Sequence, residues 1–371
     1  MNFNDRLADI LRRMQEQKLD LVIGLHDGAH FIEKPNPVMV LSGFKSLGPA
    51  ASLLYADGGL VTIVTPAWDV ERIGDLDSGY GRAMGADDVV AGIKSALGSV
   101  ISKSIGIAGL CALPARIADR VTALLPNATS ADKLVFDAAR TKTTEEITDA
   151  RAAARIAERG YQHLLAVARP GMSEDELAVE LKWHMKSLGA DDNFLLLCAS
   201  PHNRGVQPSN GRKLQARDII LAEITPSVRG QLTQICRTVV VGTPSDELKS
   251  KYELVVQAMD AGIAAAKPGV PMAQVCRAIN AVLEAQGYGE YCHPPHIRRR
   301  GHGLGFGSTR PGDVALDNTT LLEPGMLFMI HPNQYLPETG YLLCGEPVVM
   351  TPHGAEPLTA EKAALAWIDI S

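Results

Sequence analysis

The sequence predicts an α+β protein of two domains, a smaller α/β domain over residues 1–137 and a larger one over residues 138–371. Three observations predict it. The 371 residues suffice for two separate cores. The first third alternates short apolar runs with helical stripes. From about residue 140 the texture changes to long helices grouped around strands.

Leu7, Ile10, Leu11 and Met14 place an apolar stripe on a helix over residues 5–17. Residues 19–24 and 59–64 are apolar runs of strand length, and runs at 105–108 and 133–136 continue the β/α alternation. A covered sheet accounts for them. Thr144, with Glu146 close behind, opens a long helix that Pro170-Gly171 stops. Ser173 and Glu176 have the spacing of a capping box, which starts a second helix over 175–188. Strands are expected at 194–199, 219–224 and 235–241. Helices follow at 246–266 and 271–286, broken by Lys267-Pro268-Gly269, and strand and loop run from Gly301 onward. Grouped helices covering one large antiparallel sheet describe this second domain.

Composition narrows the function classes. A net charge of −6 argues against nucleic acid or an anionic membrane as partner. The one dense basic cluster, Arg298-Arg299-Arg300, fits a solvated loop or an anion contact better than a nucleic-acid surface. No segment has the apolar length of a membrane span. The six cysteines are scattered without C-x-x-C pairs, as expected of core residues in a cytoplasmic protein.

Four segments of the second domain carry the chemistry. They are Arg217-Asp218-Ile219-Ile220-Leu221-Ala222-Glu223-Ile224, Gln234-Ile235-Cys236-Arg237-Thr238, Gly301-His302-Gly303-Leu304-Gly305, and Leu322 to Pro332 with Pro324-Gly325-Met326 and His331-Pro332. In order and spacing they resemble the signature stretches of the creatinase/prolidase/aminopeptidase P superfamily, and Leu343-Cys344-Gly345-Glu346-Pro347 matches a fifth. The resemblance implies a C-terminal pita-bread domain preceded by a creatinase-type α/β domain. It also implies a homodimer in which one subunit's N-terminal domain helps cover the other's site.

The departures from that pattern decide the functional expectation. In the peptidases of the superfamily, two Asp, one His and two Glu hold two divalent ions that activate a water. The corresponding positions here are Glu223, Gln234, His302, His331 and Gly345. A second family His falls at Thr309 or its neighbour. The substrate-binding His falls near Gln207-Pro208, with His202 close upstream.

The altered set leaves three readings open. In the first, which is the expectation adopted, the chain hydrolyses a non-peptide C–N bond (amide or amidine-like) in a small polar metabolite without a cofactor, as the resemblance to creatinase and the ectoine-hydrolase branch implies. Glu223 would then be the base or water-positioner, and His302 or His331 would pass the proton to the leaving nitrogen. In the second, Glu223, His302 and His331 form a 2-His-1-carboxylate site for a single divalent transition metal. In the third, the domain is a non-catalytic binding module. The retention of polar Glu, Gln, His and His at four positions weighs against the third.

Gln234, Arg310, Asn333, Glu346 and His202 are candidates for substrate binding. Arg310, just after a glycine-rich turn, suits a carboxylate clamp. Glu346 sits one residue past the lost Glu ligand, where a strand-end carboxylate is the plainer reading. Arg237 is expected to pair with a carboxylate below the site. The alternating glycines 301, 303, 305 and 307 suit close backbone approach beside His302 rather than a phosphate cradle.

Overall fold

The computed structural model describes residues 1–74, 81–98, 104–306 and 310–370. The chain divides into two compact units, residues 1–144 with Phe306, and residues 145–305 with 310–370.

In the first unit, α1 (Phe3–Glu16) starts at a capping box between Asn2 and Asp5. β1 (Leu21–His26), α2 (Pro37–Ser42), β2 (Ala50–Tyr55), β3 (Leu60–Val64), α3 (Val70–Gly74), β4 (Arg82–Gly85), α4 (Val89–Leu97), β5 (Ile105–Ala108), α5 (Ala115–Leu124), β6 (Thr129–Ser130) and α6 (Asp132–Ala138) follow. The six strands form one mixed sheet in the order β4-β3-β2-β1-β5-β6. Every residue of β1 is buried because both faces are covered. Leu21, Ile23 and Leu25 pack with Ile93 and Val121 of α4 and α5, while Val22 packs with Ile10, Met14 and Leu134 of α1 and α6. The apolar run at 133–136 is the helical member of the alternation, inside α6. A four-residue run carries no period of its own, so only its packing decides between helix and strand.

The second unit opens with α7 (Thr144–Val167), whose first residue is assigned to the preceding unit, and α8 (Glu174–Ser187). The Ser173/Glu176 capping box is present, with Ser173 Oγ accepting from Glu176 N at 3.2 Å. Next come β7 (Asp192–Ser200), β8 (Ile219–Val228), β9 (Gln231–Leu232), β10 (Ile235–Val241), α9 (Asp246–Ala265) and α10 (Met272–Ala285). The remainder is strand and loop: β11 (Gly301–Gly303), β12 (Leu327–Ile330), β13 (Gln334–Leu336), β14 (Gly340–Leu342), β15 (Glu346–Thr351), β16 (Gly354–Pro357) and β17 (Ala366–Ile368).

One large antiparallel sheet was the expectation, and the structure corrects it. β7, β8, β9, β10 and β17 form one sheet, with β17 parallel to β10. β11, β12, β15 and β16 form a second, and β13 and β14 a separate hairpin. A lone backbone pair, Cys236 with Gly345, joins the two larger sheets. Helices α7 and α8 bury their apolar faces on the first sheet. Gly262 lets α9 close on α10 and β12, since a Cβ there would stand 2.7 Å from Ile279 and 3.3 Å from Ile330.

His26, at the end of β1, is buried and stacks on His30 at 4.8 Å. Its Nδ1 accepts from Gly28 N, and its Nε2 has no hydrogen-bond partner. Burial, reinforced by His30, pulls its pKa down to about 3. A lowered imidazole pKa gives stability that is complete above the unfolded value near 6.5 and is lost as pH falls toward about 3. At pH 5 the loss from this one group is about 2 kcal/mol, on 1.36 kcal/mol per pH unit. Urea unfolding of wild type and His26→Phe at pH 7 and pH 5 is expected to show a weaker pH dependence in the variant. Equal dependence would remove His26 as the cause.

Candidate functional site

Strand alternation sets the site's first wall. On β8, Ile220, Ala222 and Ile224 face the helices α7 and α8. Glu223 and Thr225 therefore face the other way. On β10, Ile235, Val239 and Val241 take the helix side, so Gln234 and Cys236 share a face with Glu223. Cys236 lies directly across from Glu223, with Sγ 3.9 Å from Glu223 Oε1. Burial, then the Glu223 charge, pushes the Cys236 thiol well up, so it is a neutral thiol rather than a nucleophile.

The second wall comes from the other sheet. His302, in the middle of β11, pairs with Met329 of β12, and His331 follows β12 directly. The two imidazoles meet edge to face at 5.2 Å between centroids. His302 Nε2 contacts Gln234 Oε1 at 3.2 Å, and the Gln234 amide nitrogen donates to Thr225 Oγ1 at 3.2 Å. His302 Nδ1 faces the Gly303 carbonyl at 3.1 Å. With the amide oxygen toward it, His302 donates from Nε2 to Gln234 and faces a second acceptor, the Gly303 carbonyl, at Nδ1. With the amide turned over, Nε2 accepts and only Nδ1 donates, to Gly303. An amide permits both arrangements.

His331 is buried, its backbone N–H donates to Arg300 O at 2.9 Å, and its Nδ1 has no hydrogen-bond partner. Burial, with His302 beside it, holds its pKa well below the ordinary value, so the ring is neutral at physiological pH. Gly345 explains where His331 fits. A Cβ at Gly345 would stand 2.7 Å from His331 Cβ and 2.6 Å from Met329 Cε.

The remaining candidates are placed as follows. Asn333 is buried behind His331, its Oδ1 accepting from Cys344 N at 3.1 Å. The Arg310 backbone lies over Gly303, within 2.6 Å of where a Cβ would be, which puts Arg310 beside His302. His202 is exposed, donates to Pro337 O at 3.0 Å and meets Tyr335 edge-on, so it is not brought to the Glu223–His331 wall. Glu346 is buried against Arg237, Oε1 to Nη2 at 2.7 Å, with Thr359 on its other oxygen. Ser308, Thr309 and Gly307 lie outside the described residues.

Sequence reasoning missed Thr225, Cys236 and Tyr341. The first two are two residues from Glu223 and Gln234, so strand alternation was the available signal. Tyr341 reaches the site only through the β13–β14 hairpin. Its hydroxyl end is raised by burial and by the Glu223 charge.

Comparison with known proteins places this geometry. Residues 148–352, more than half of the chain, match the metallopeptidase family M24. The chain belongs to family M24. It is 32% identical over 239 residues to the uncharacterized peptidase YqhT of Bacillus subtilis, covering 64% of this chain and 65% of that protein, less than two thirds of its length. A Xaa-Pro dipeptidase of Pyrococcus furiosus is 24% identical over 97% of this chain and 99% of its own. The prolidase structure from Pyrococcus horikoshii superimposes with a TM-score of 0.83 at 21% identity, over 97% of this chain and 99% of that one. The Xaa-Pro dipeptidase from Bacillus anthracis gives 0.82 at 20% identity, over 99% and 100%. At these identities the two structures show the pita-bread fold. Among the described residues no helix is long and apolar enough to cross a membrane.

Membership of M24 corrects two expectations. A non-peptide metabolite as substrate is overturned by relatives that are peptidases and Xaa-Pro dipeptidases. A cofactor-free hydrolase is overturned by a family whose chemistry is that of metallopeptidases. Both expectations followed from the substituted ligands and the resemblance to the creatinase and ectoine-hydrolase branch; the substitutions speak to the ions and not to the shape of the substrate. The side chains at the inherited positions nevertheless do not fit a pair of divalent ions. One carboxylate remains, Gln234 is engaged with His302 and Thr225, and Gly345 brings no side chain. Among the described residues no three His, Cys, Asp or Glu are grouped to hold an ion.

The His331–Gly345 fit is open to measurement. Gly345→Ala is expected to destabilise the fold by about 1–3 kcal/mol through overpacking, read by urea unfolding. Unchanged stability would show that the contact yields freely.

Proposed function

We propose that this chain is a hydrolase of the M24 fold that cleaves the C–N bond of a short peptide, in the manner of the Xaa-Pro dipeptidases it resembles. One observation carries the reading: the two walls meet, Gln234 of the Glu223 face touching His302 at 3.2 Å and His302 pairing with His331 at 5.2 Å. A site without a task has no reason to keep four polar side chains there against the cost of burying them.

The balance of the reaction assigns the roles. Water adds its oxygen to the scissile carbonyl carbon, and Glu223 accepts the proton released. The C–N bond then breaks as His302 delivers a proton to the leaving nitrogen. Gln234 suits this sequence because its amide can present His302 either an acceptor or a donor. His331, neutral and buried, is a hydrogen-bonding group toward the substrate rather than a cation. To Arg310, whose backbone lies against Gly303 beside the His302 strand, we assign the peptide carboxylate, which a guanidinium fork suits.

The test is hydrolysis of a panel of Xaa-Pro and non-prolyl dipeptides, with and without added divalent ions so that an ion requirement does not hide activity. Glu223→Gln and His302→Ala are each expected to lower kcat by about 10²–10⁴-fold with melting unchanged. Turnover of no dipeptide under either condition, or either variant keeping most of its activity, would overturn the proposal.

A further inference from the structure

The basic cluster Arg298-Arg299-Arg300 has no part in the proposed reaction, yet its last member is among the most buried side chains of the protein, at 1% exposure. Arg300 Nε donates to Asn280 Oδ1 at 2.7 Å, Nη1 to the Asn333 carbonyl at 3.0 Å and Nη2 to Gln334 Oε1 at 3.0 Å. All three acceptors are neutral, and among the described residues no carboxylate pairs with this guanidinium. The contrast with Arg237, equally buried and matched to Glu346 at 2.7 Å, is direct. A buried cation held only by dipoles bears a desolvation cost that a counter-charge would offset.

A cavity of about 250 Å³ opens beside it, lined by Arg298, Arg299, Arg300, Asn280, Cys276 and Cys292, with His293 at its edge. Asp317, an exposed carboxylate, is the acidic residue of the lining. Arg299 pairs with Asp313 at 3.1 Å, outside that lining. Three arginines thus line a space with one carboxylate at it. Burial pushes the Cys276 and Cys292 thiols up, so they add no negative charge.

We propose that this cavity is a binding site for a small oxyanion, a phosphate or carboxylate group, held by Arg298 and Arg299 at the mouth against the fixed positive charge of Arg300. Guanidinium forks match the oxygens of both groups. The cavity lies behind the candidate catalytic wall: Arg300 O accepts from His331 N at 2.9 Å, and the Asn333 carbonyl joins the two. The inference does not depend on the peptidase reading.

The experiment is thermal melting and calorimetric titration of the full chain with sodium phosphate and, separately, sodium acetate, at ionic strength matched with sodium chloride. Saturable stabilisation is expected from one or both, and the tighter of the two identifies the group as a phosphate or a carboxylate. Arg298→Gln combined with Arg299→Gln, both outside the core, is expected to weaken binding by about tenfold or more. Exposed Arg204→Gln, away from the cavity, is the control and should leave binding intact. No saturable effect beyond that of chloride, or binding equal in the double variant, would overturn the site.

Discussion

The second unit depends on one seam. Residues 234–238 run beside residues 343–346, and the groups they exchange are buried. Cys236 and Gly345 trade backbone hydrogen bonds at 3.3 and 3.2 Å. Thr238 Oγ1 donates to Leu343 O at 2.8 Å and accepts from Leu343 N at 2.9 Å. Arg237 donates to Gly345 O at 2.8 Å and closes on Glu346 at 2.7 Å. Breaking such a buried pair leaves an uncompensated charge, a cost of about 3–5 kcal/mol. The seam brings a strand of one sheet and a strand of the other into a single surface. Glu223 and Gln234 stand on one side of it, and His302 and His331 on the other.

Because the seam sets the spacing, the substitutions at the site act as a group. The backbone of residue 345 packs close against Met329 and the Cβ of His331, which leaves no room for a side chain at that position as they now stand. Gln234 meets the His302 ring at 3.2 Å and can present it either an acceptor or a donor. The result is a wall of one carboxylate, one amide and two imidazoles. Its one carboxylate is too little charge to neutralise two divalent ions. Drift alone would not keep polar groups in a buried place where apolar ones cost less.

Arg237 and Arg300 show how one residue type serves two ends within one unit. Arg237 faces the helix side, lies 5.6 Å from the Tyr161 ring and is matched by a carboxylate, which makes it a strut. Arg300 is met by two side-chain amide oxygens and a backbone carbonyl, with no carboxylate among the described residues, and it borders a cavity. The difference lies in the counter-charge, and no linear pattern of residues records it.

The sequence by itself determined much of this protein: the helices and strands with clear periods, the Ser173/Glu176 cap and the two-unit plan. Those rest on local chemistry, namely hydrogen-bonding side chains at fixed offsets and apolar residues at period 3.6 or 2. The tertiary structure decided the rest. The run at 133–136 became helix α6 because of what it packs against, and the expected single sheet became two joined at a seam. Glu346 turned to Arg237, His202 stayed at the surface, and Tyr341 came to Glu223 from more than a hundred residues away. Each outcome depends on contacts between distant segments, and spacing along one strand says nothing about which strand from elsewhere will lie beside it.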